Sequence, residues 1–181
     1  YMSLSSIHER LAKNAIAVQL PIGYESSFSG VIDLLTQKAF TAEGENGEKL
    51  VEIPIPEDMK AQVEEYRHKI FEKAAEYDDA LMEKYVEGKE MSMDEIRASL
   101  RKGVVKGDLY LVYCGSSLKN LGVQLVLDGV CHYLPSPLDL PPVKGTNPHT
   151  GEMEERKPDV TEPFTALAFK LQADPFVGQL T

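Results

Sequence analysis

In the run Tyr113-Cys114-Gly115-Ser116-Ser117-Leu118-Lys119-Asn120-Leu121-Gly122-Val123, a Gly-Ser-Ser turn sets several backbone N–H donors and two hydroxyls side by side. Donors grouped this way suit a carbonyl or an anion. The run follows the apolar stretch Leu109 to Tyr113 and precedes a helical pattern. That placement is the carboxyl end of a buried strand, where open α/β sheets bind their ligands. Spacing alone leaves both a structural turn and a ligand site open.

Other residues capable of chemistry are poorly arranged for it. A thiol enzyme needs a cysteine beside a base. Cys131 adjoins His132, but neighbours on a helix point roughly 100° apart. His8, His68, His132 and His149 have no paired metal-ligand spacing. Asp78-Asp79 reads as a helix start rather than a catalytic carboxylate pair. No catalytic residue and no metal ligand is assigned.

The elements that would carry these residues follow from periodicity. Residues 3 to 13 suit a helix with Leu4, Ile7 and Leu11 on one face, and Ala15 to Leu20 a strand stopped by Pro21 and Gly23. Val31 to Leu34, Lys38 to Thr41 and Lys49 to Ile53 read as further strands. The last two are joined through Asn46-Gly47, a hairpin signal because both residues tolerate positive φ. An antiparallel meander is predicted. After Pro54 and Pro56, Met59, Val63, Tyr66, Ile70 and Ala74 recur at helical steps and predict one buried stripe. A second helix is predicted from Asp78 to Glu87, stopping at Gly88. A third opens on the capping box Ser92-Met93-Asp94-Glu95 and ends near Gly103. Leu109 to Tyr113 predicts a strand buried on both faces, as in a parallel sheet. Val123, Val126, Leu127, Val130 and Leu134 then mark the apolar face of a last helix. The Pro-rich stretch Leu134 to Pro142 reads as a stiff linker. Residues 144 to 160 are polar, turn-rich and predicted to be mobile, and Phe164 to Lys170 alternates like a strand.

Composition bounds the function. The 181 residues carry a net charge of −10, which argues against general binding to nucleic acid or anionic lipid. Between Glu43 and Arg97 there are 17 acidic and 8 basic residues, so nine of the ten excess negative charges lie in that segment. Such a run is either a solvated face or a docking surface for a basic protein. With two cysteines in no redox spacing and no apolar run long enough to span a bilayer, a reduced, cytoplasmic protein is expected. Tyr1 at the start, and a stop at Gly178-Gln179-Leu180-Thr181 within a strand-like pattern, are what a piece of a longer protein would show.

The stretch Leu111 to Val123, with Tyr133-Leu134-Pro135-Ser136-Pro137-Leu138-Asp139 after the helix, resembles the translation elongation factor G family. So do Val18-Gln19-Leu20-Pro21-Ile22-Gly23, Phe28 to Leu34, Glu162-Pro163-Phe164 and Asp174 to Gly178, in the same order. The resemblance implies that the opening loop is the fifth guanine-nucleotide motif, Ser-Ala-Leu or Ser-Ala-Phe, whose backbone amides meet the base. Gly115 leads into it, Ser116 takes the Ser place, Ser117 the Ala place and Leu118 the large apolar place. Serine for alanine keeps the amide donor.

The fold class implied is α/β: the C-terminal portion of a P-loop GTPase domain with an α/β insert, then the first strands of a β-barrel domain. The implied boundaries are 1–13 for a GTPase-domain helix, 14–108 for the insert, 109–136 for the closing strand, loop and helix, and 137–181 for the linker and barrel start. The whole factor would use GTP and Mg on the ribosome to translocate tRNA and mRNA, its insert meeting the C-terminal domain of the stalk protein. This chain has no G-x-x-x-x-G-K-[ST], Asp-x-x-Gly or Asn-Lys-x-Asp motif, so by itself it is expected to be inactive. The alternatives are release factor three, a ribosomal-protection factor, or a purely scaffolding acidic module.

Overall fold

The structure, a computed structural model, describes residues 2–180. Tyr1 and Thr181, the residues on which the two ends were read as cut, lie outside the described residues. The chain forms two compact units, Tyr1–Leu134 and Pro135–Thr181.

In the first unit, helix α1 (Met2–Arg10) leads to strand β1 (Ala15–Ala17) and strand β2 (Gln19–Ile22). The single strand expected over Ala15 to Leu20 is in fact two, belonging to different sheets. β1 runs parallel to β6 (Tyr110–Val112), and β2 opens an antiparallel sheet with β3 (Gly30–Asp33), β4 (Lys38–Glu43) and β5 (Lys49–Ile53) in the order β2-β3-β4-β5. The switch is at Val18, whose N–H bonds Val112 O while its C=O accepts from Leu34 N–H, each at 3.0 Å.

Helix α2 (Lys60–Ala75) follows a 3-10 turn at Glu57–Met59, and α3 (Asp79–Val86) and α4 (Met93–Lys106) complete the helical layer. Val63, Ile70 and Ala74 of the expected stripe are buried, against Ile96 and Leu100 of α4 and Leu20, Ile32 and Leu34 of the sheet. Each fully buried aliphatic side chain contributes roughly 1.5–3 kcal/mol. Arg67 fastens the layers: its Nη1 donates to Leu34 O at 2.9 Å and Leu35 O at 2.6 Å, and its guanidinium lies 4.6 Å from the Phe71 ring centre.

The caps follow their chemistry. Asp78 accepts from Ala80 and Leu81 N–H, both at 3.1 Å, as a helix start. Ser92 and Glu95 exchange bonds in a capping box. The third helix does not end near Gly103. It continues to Lys106 and stops at Gly107, whose φ of 79° is left-handed. Gly103 is instead buried mid-helix, where an added Cβ would lie 2.9 Å from the Tyr77 ring.

Two further expectations are corrected. β6 is not buried on both faces: Tyr110 is 53% exposed, and β1 is the strand's one pairing partner among the described residues, so the pair lacks the flanking strands and cover of a full parallel sheet. Helix α5 (Val123–Tyr133) buries Gly129 and Tyr133, while Val126, Leu127, Val130 and Leu134 stay substantially exposed. With Val104, Leu109, Tyr110 and Leu111 these residues border an apolar groove of about 260 Å³, of which Leu127 is not part.

In the second unit, a 3-10 turn at Pro137–Asp139 precedes two hairpins, β7 (Val143–Thr146) with β8 (Met153–Arg156), and β9 (Gln172–Asp174) with β10 (Gly178–Leu180). Residues 144–160 thus contain most of a paired hairpin. Phe164 to Lys170 forms no strand. Its alternation finds no partner strand among the described residues, and Phe164, Leu167 and Phe169 are at least 84% exposed.

Candidate functional site

The loop after β6 is a tight reversal. Ser116 and Leu121 pair across it, with Ser116 N–H on Leu121 O at 2.9 Å and Leu121 N–H on Ser116 O at 3.0 Å. Asn120 N–H closes the turn on Ser117 O at 3.2 Å, and Asn120 takes the left-handed φ of 51° that this residue type tolerates. Gly115 is required by crowding rather than by φ: a Cβ there would lie 2.7 Å from Leu121 O.

Within this turn the four sequence-predicted residues stand together. Gly115, Ser117 and Leu118 are exposed, Ser116 is half-buried, and Leu118 at the tip is 96% exposed. The N–H groups of Gly115, Ser117 and Leu118 have no acceptor among the described residues. Three donors close in sequence and open to solvent are an arrangement that an oxygen acceptor can satisfy. The Ser116 hydroxyl is engaged within the turn, accepting from Lys119 N–H at 3.4 Å.

The loop is anchored almost entirely by the meander. Lys119 Nζ donates to Phe28 O at 3.4 Å, and Gln124 Nε2 donates to Glu48 O at 3.5 Å. Gly47, at the tip of the β4–β5 hairpin, lies so near Lys119 that a Cβ would be 2.3 Å from its carbonyl oxygen. Beneath the loop, Cys114 N–H donates to Oε1 of Gln19 at 3.3 Å. Sequence reasoning did not find Gln19. Its one signal is a lone amide inside the apolar run Ile16-Ala17-Val18-Gln19-Leu20.

The surroundings of the loop are dry on one side. Burial pushes the Cys114 thiol up to about 12 and raises the Tyr113 hydroxyl as well. Neither is placed to act as a nucleophile or base at neutral pH. Cys131 is exposed on α5, whereas Cys114 is half-buried, and both are free. Among the described residues no group of three or more His, Cys, Asp and Glu is positioned to hold a metal ion, and no helix is long and apolar enough to cross a membrane. What the loop itself presents to solvent is a set of backbone donors suited to an oxygen acceptor.

No family model matches the chain. Over 182 aligned residues it is 51% identical to the elongation factor G of Amoebophilus asiaticus (strain 5a2), an alignment that covers 99% of this chain and 26% of that protein. It is also similar to a crystal structure from Thermus thermophilus, with a TM-score of 0.75 and 26% identity over 99% of this chain and 24% of that one. The chain thus spans about a quarter of the length of the relatives it matches. The resemblance to elongation factor G extends over essentially the whole chain.

Proposed function

We propose that this chain is part of an elongation factor G–like translational GTPase, in which residues 115–118 present the base-facing loop and residues 14–108 the insert. The observation that carries this reading is the set of unpartnered amides at Gly115, Ser117 and Leu118, at the positions where the resemblance puts the guanine-binding motif. A guanine carbonyl is an acceptor that such donors can hold. The residues present fit the base alone. The sequence has no phosphate-cradling motif and no metal-ligand group is found among the described residues, so no step of hydrolysis is assigned to the chain.

The open apolar groove between β6 and α5 fits the same reading. A parallel strand and helix with one face exposed would be completed by the remaining strands of a GTPase domain. In the second unit, Phe164, Phe169 and Phe176 are exposed and outside any strand, which fits barrel segments whose pairing partners lie elsewhere.

The insert has a docking role. Its helical layer exposes Asp58, Glu72, Asp79, Glu83 and Glu90, none in an ion pair among the described residues. Met82 and Val86, 37% and 76% exposed, share one face of α3 amid this charge. A basic partner such as the stalk protein's C-terminal domain would be steered by that field and held by the apolar pair. An amide-resolved NMR titration of this chain with that domain, at low and moderate salt, tests it. Salt-sensitive shifts confined to residues 57–103 are expected. A well-folded spectrum with no shifts would leave the acidic face as solvation only. The chain alone is expected to show no GTP turnover, and measurable hydrolysis by the purified chain would contradict this division of labour.

A further inference from the structure

Gln19 is 3% exposed and, with Ser99, one of two buried polar residues among the described residues. Its position explains why. The parallel ladder of β1 and β6 runs from Tyr110 N–H on Asn14 O at 3.2 Å to Val18 N–H on Val112 O at 3.0 Å. Continued by the same step, the next donor is Cys114 N–H and its acceptor the Val18 carbonyl. That carbonyl has turned into the meander to accept from Leu34 N–H. The Gln19 side chain takes its place, offering Oε1 to Cys114 N–H at 3.3 Å. One amide thus adds a rung that the backbone gives up on changing sheets.

The arrangement carries a polar cost. Nε2 of Gln19 is buried without a partner, and an apolar side chain of similar length would remove that orphan only by taking the acceptor away from Cys114 N–H. The other buried, unpartnered side-chain atom among the described residues is Oε1 of Gln124, just beyond the loop's far end; its Nε2 bonds the meander at Glu48 O, as Gln19 of the meander bonds the loop at Cys114 N–H. Amides at both ends of the loop therefore sacrifice one hydrogen bond and keep the one that joins loop and meander.

We propose that Gln19 is a positioning residue for the base-facing loop, fixing Cys114 N–H so that the free donors of Gly115, Ser117 and Leu118 stay in register for a guanine carbonyl. The inference rests on the reading of that loop given above. Gln19 touches no ligand; it acts through Cys114.

The test uses Gln19→Met, which keeps length and removes the acceptor, and Gln19→Glu, which keeps an acceptor oxygen in either protonation state. In this chain, Gln19→Met should speed exchange of the two hydrogen-bonded amides at the start of the loop, Cys114 and Ser116, roughly fivefold or more, leaving the amides of Ile32, Ile70 and Leu100 unchanged. Gln19→Glu should restore most of the protection. In the longer factor proposed to contain this chain, Gln19→Met should speed GDP dissociation by a similar factor, with inosine diphosphate, which keeps the base carbonyl, losing affinity to the same extent. Unchanged loop exchange would overturn the proposal, as would general loss of protection with no rescue by Glu. Faster loop exchange with unchanged GDP dissociation would overturn the guanine role. If the wild-type factor binds no guanine nucleotide, the proposed function fails instead, and the exchange data still decide whether Gln19 positions the loop.

Discussion

The hydroxyl of Ser99 in α4 donates to the carbonyl of Ala74 in α2 at 2.6 Å, with Ser99 1% exposed. It is the polar weld in an otherwise apolar contact between the two helices. Replacing Ser99 by Ala should cost about 1–2 kcal/mol, the usual loss for a buried hydrogen bond whose acceptor keeps another partner. Here that partner is Tyr77 N–H at 3.1 Å. A shifted urea midpoint at constant slope is the expected readout.

At Gly103 two effects of opposite sign compete. Glycine inside a helix costs about 1 kcal/mol relative to alanine, so Gly103→Ala should stabilise α4 if space allowed. It does not: the new methyl would lie 2.9 Å from the Tyr77 ring and 3.0 Å from Leu109 Cβ. Overpacking of this kind costs about 1–3 kcal/mol, so net destabilisation is expected by the same melts. Gly107→Ala, with nothing within 4 Å but a φ of 79°, should destabilise through backbone strain alone.

Acid stability should reflect Glu95. The Lys84 ammonium at 2.5 Å, then the Ser92 amide and hydroxyl, draw its carboxyl down from 4.5 to about 2. A folded-state value below the unfolded one means that the stabilisation is complete above about pH 4.5. It is lost as pH falls toward 2. Between those limits the wild-type chain should lose stability more steeply than Glu95→Gln. Parallel pH profiles would show that Glu95 gains nothing from folding.

The two thiols should separate cleanly. Cys114 is held in its protonated form by burial, whereas Cys131 is exposed. With a thiol-directed chromogenic reagent at about pH 8, one equivalent should react at once. The second should react at the rate at which the loop opens, and Gln19→Met should quicken only that slower phase.

How much of this was legible in the sequence depends on which interaction decides each feature. The capping box at Ser92, the cap at Asp78, the stripe Val63-Ile70-Ala74 and the strand Lys49 to Ile53 were all readable, because their causes are local: a hydroxyl three residues from a carboxylate, or a period of about 3.6 or 2. The split at Val18 was not, since only the tertiary partner tells a continuous strand from one that changes sheets. The helix end was misplaced at Gly103 because a glycine that stops a helix and one that admits a neighbour's ring look alike in sequence. The exposed face of α5 and the unformed strand at Phe164 fail for one reason. Periodicity shows that a face is apolar, and burial depends on what is there to cover it. At the candidate site the loop and its four residues were legible from the Gly-Ser-Ser turn and the resemblance. Gln19 was not, because its role is a hydrogen bond to a residue 95 positions away.

The central claim is that residues 115–118 face a guanine base, and nucleotide-dependent amide exchange in the longer factor tests it most directly. With GDP bound, the amides of Gly115, Ser117 and Leu118 should slow markedly, with ADP producing no change and the hairpin β7–β8 unaffected by either. GDP binding that left those three amides exchanging at their free rate would contradict the account, whatever else the protein proved to do.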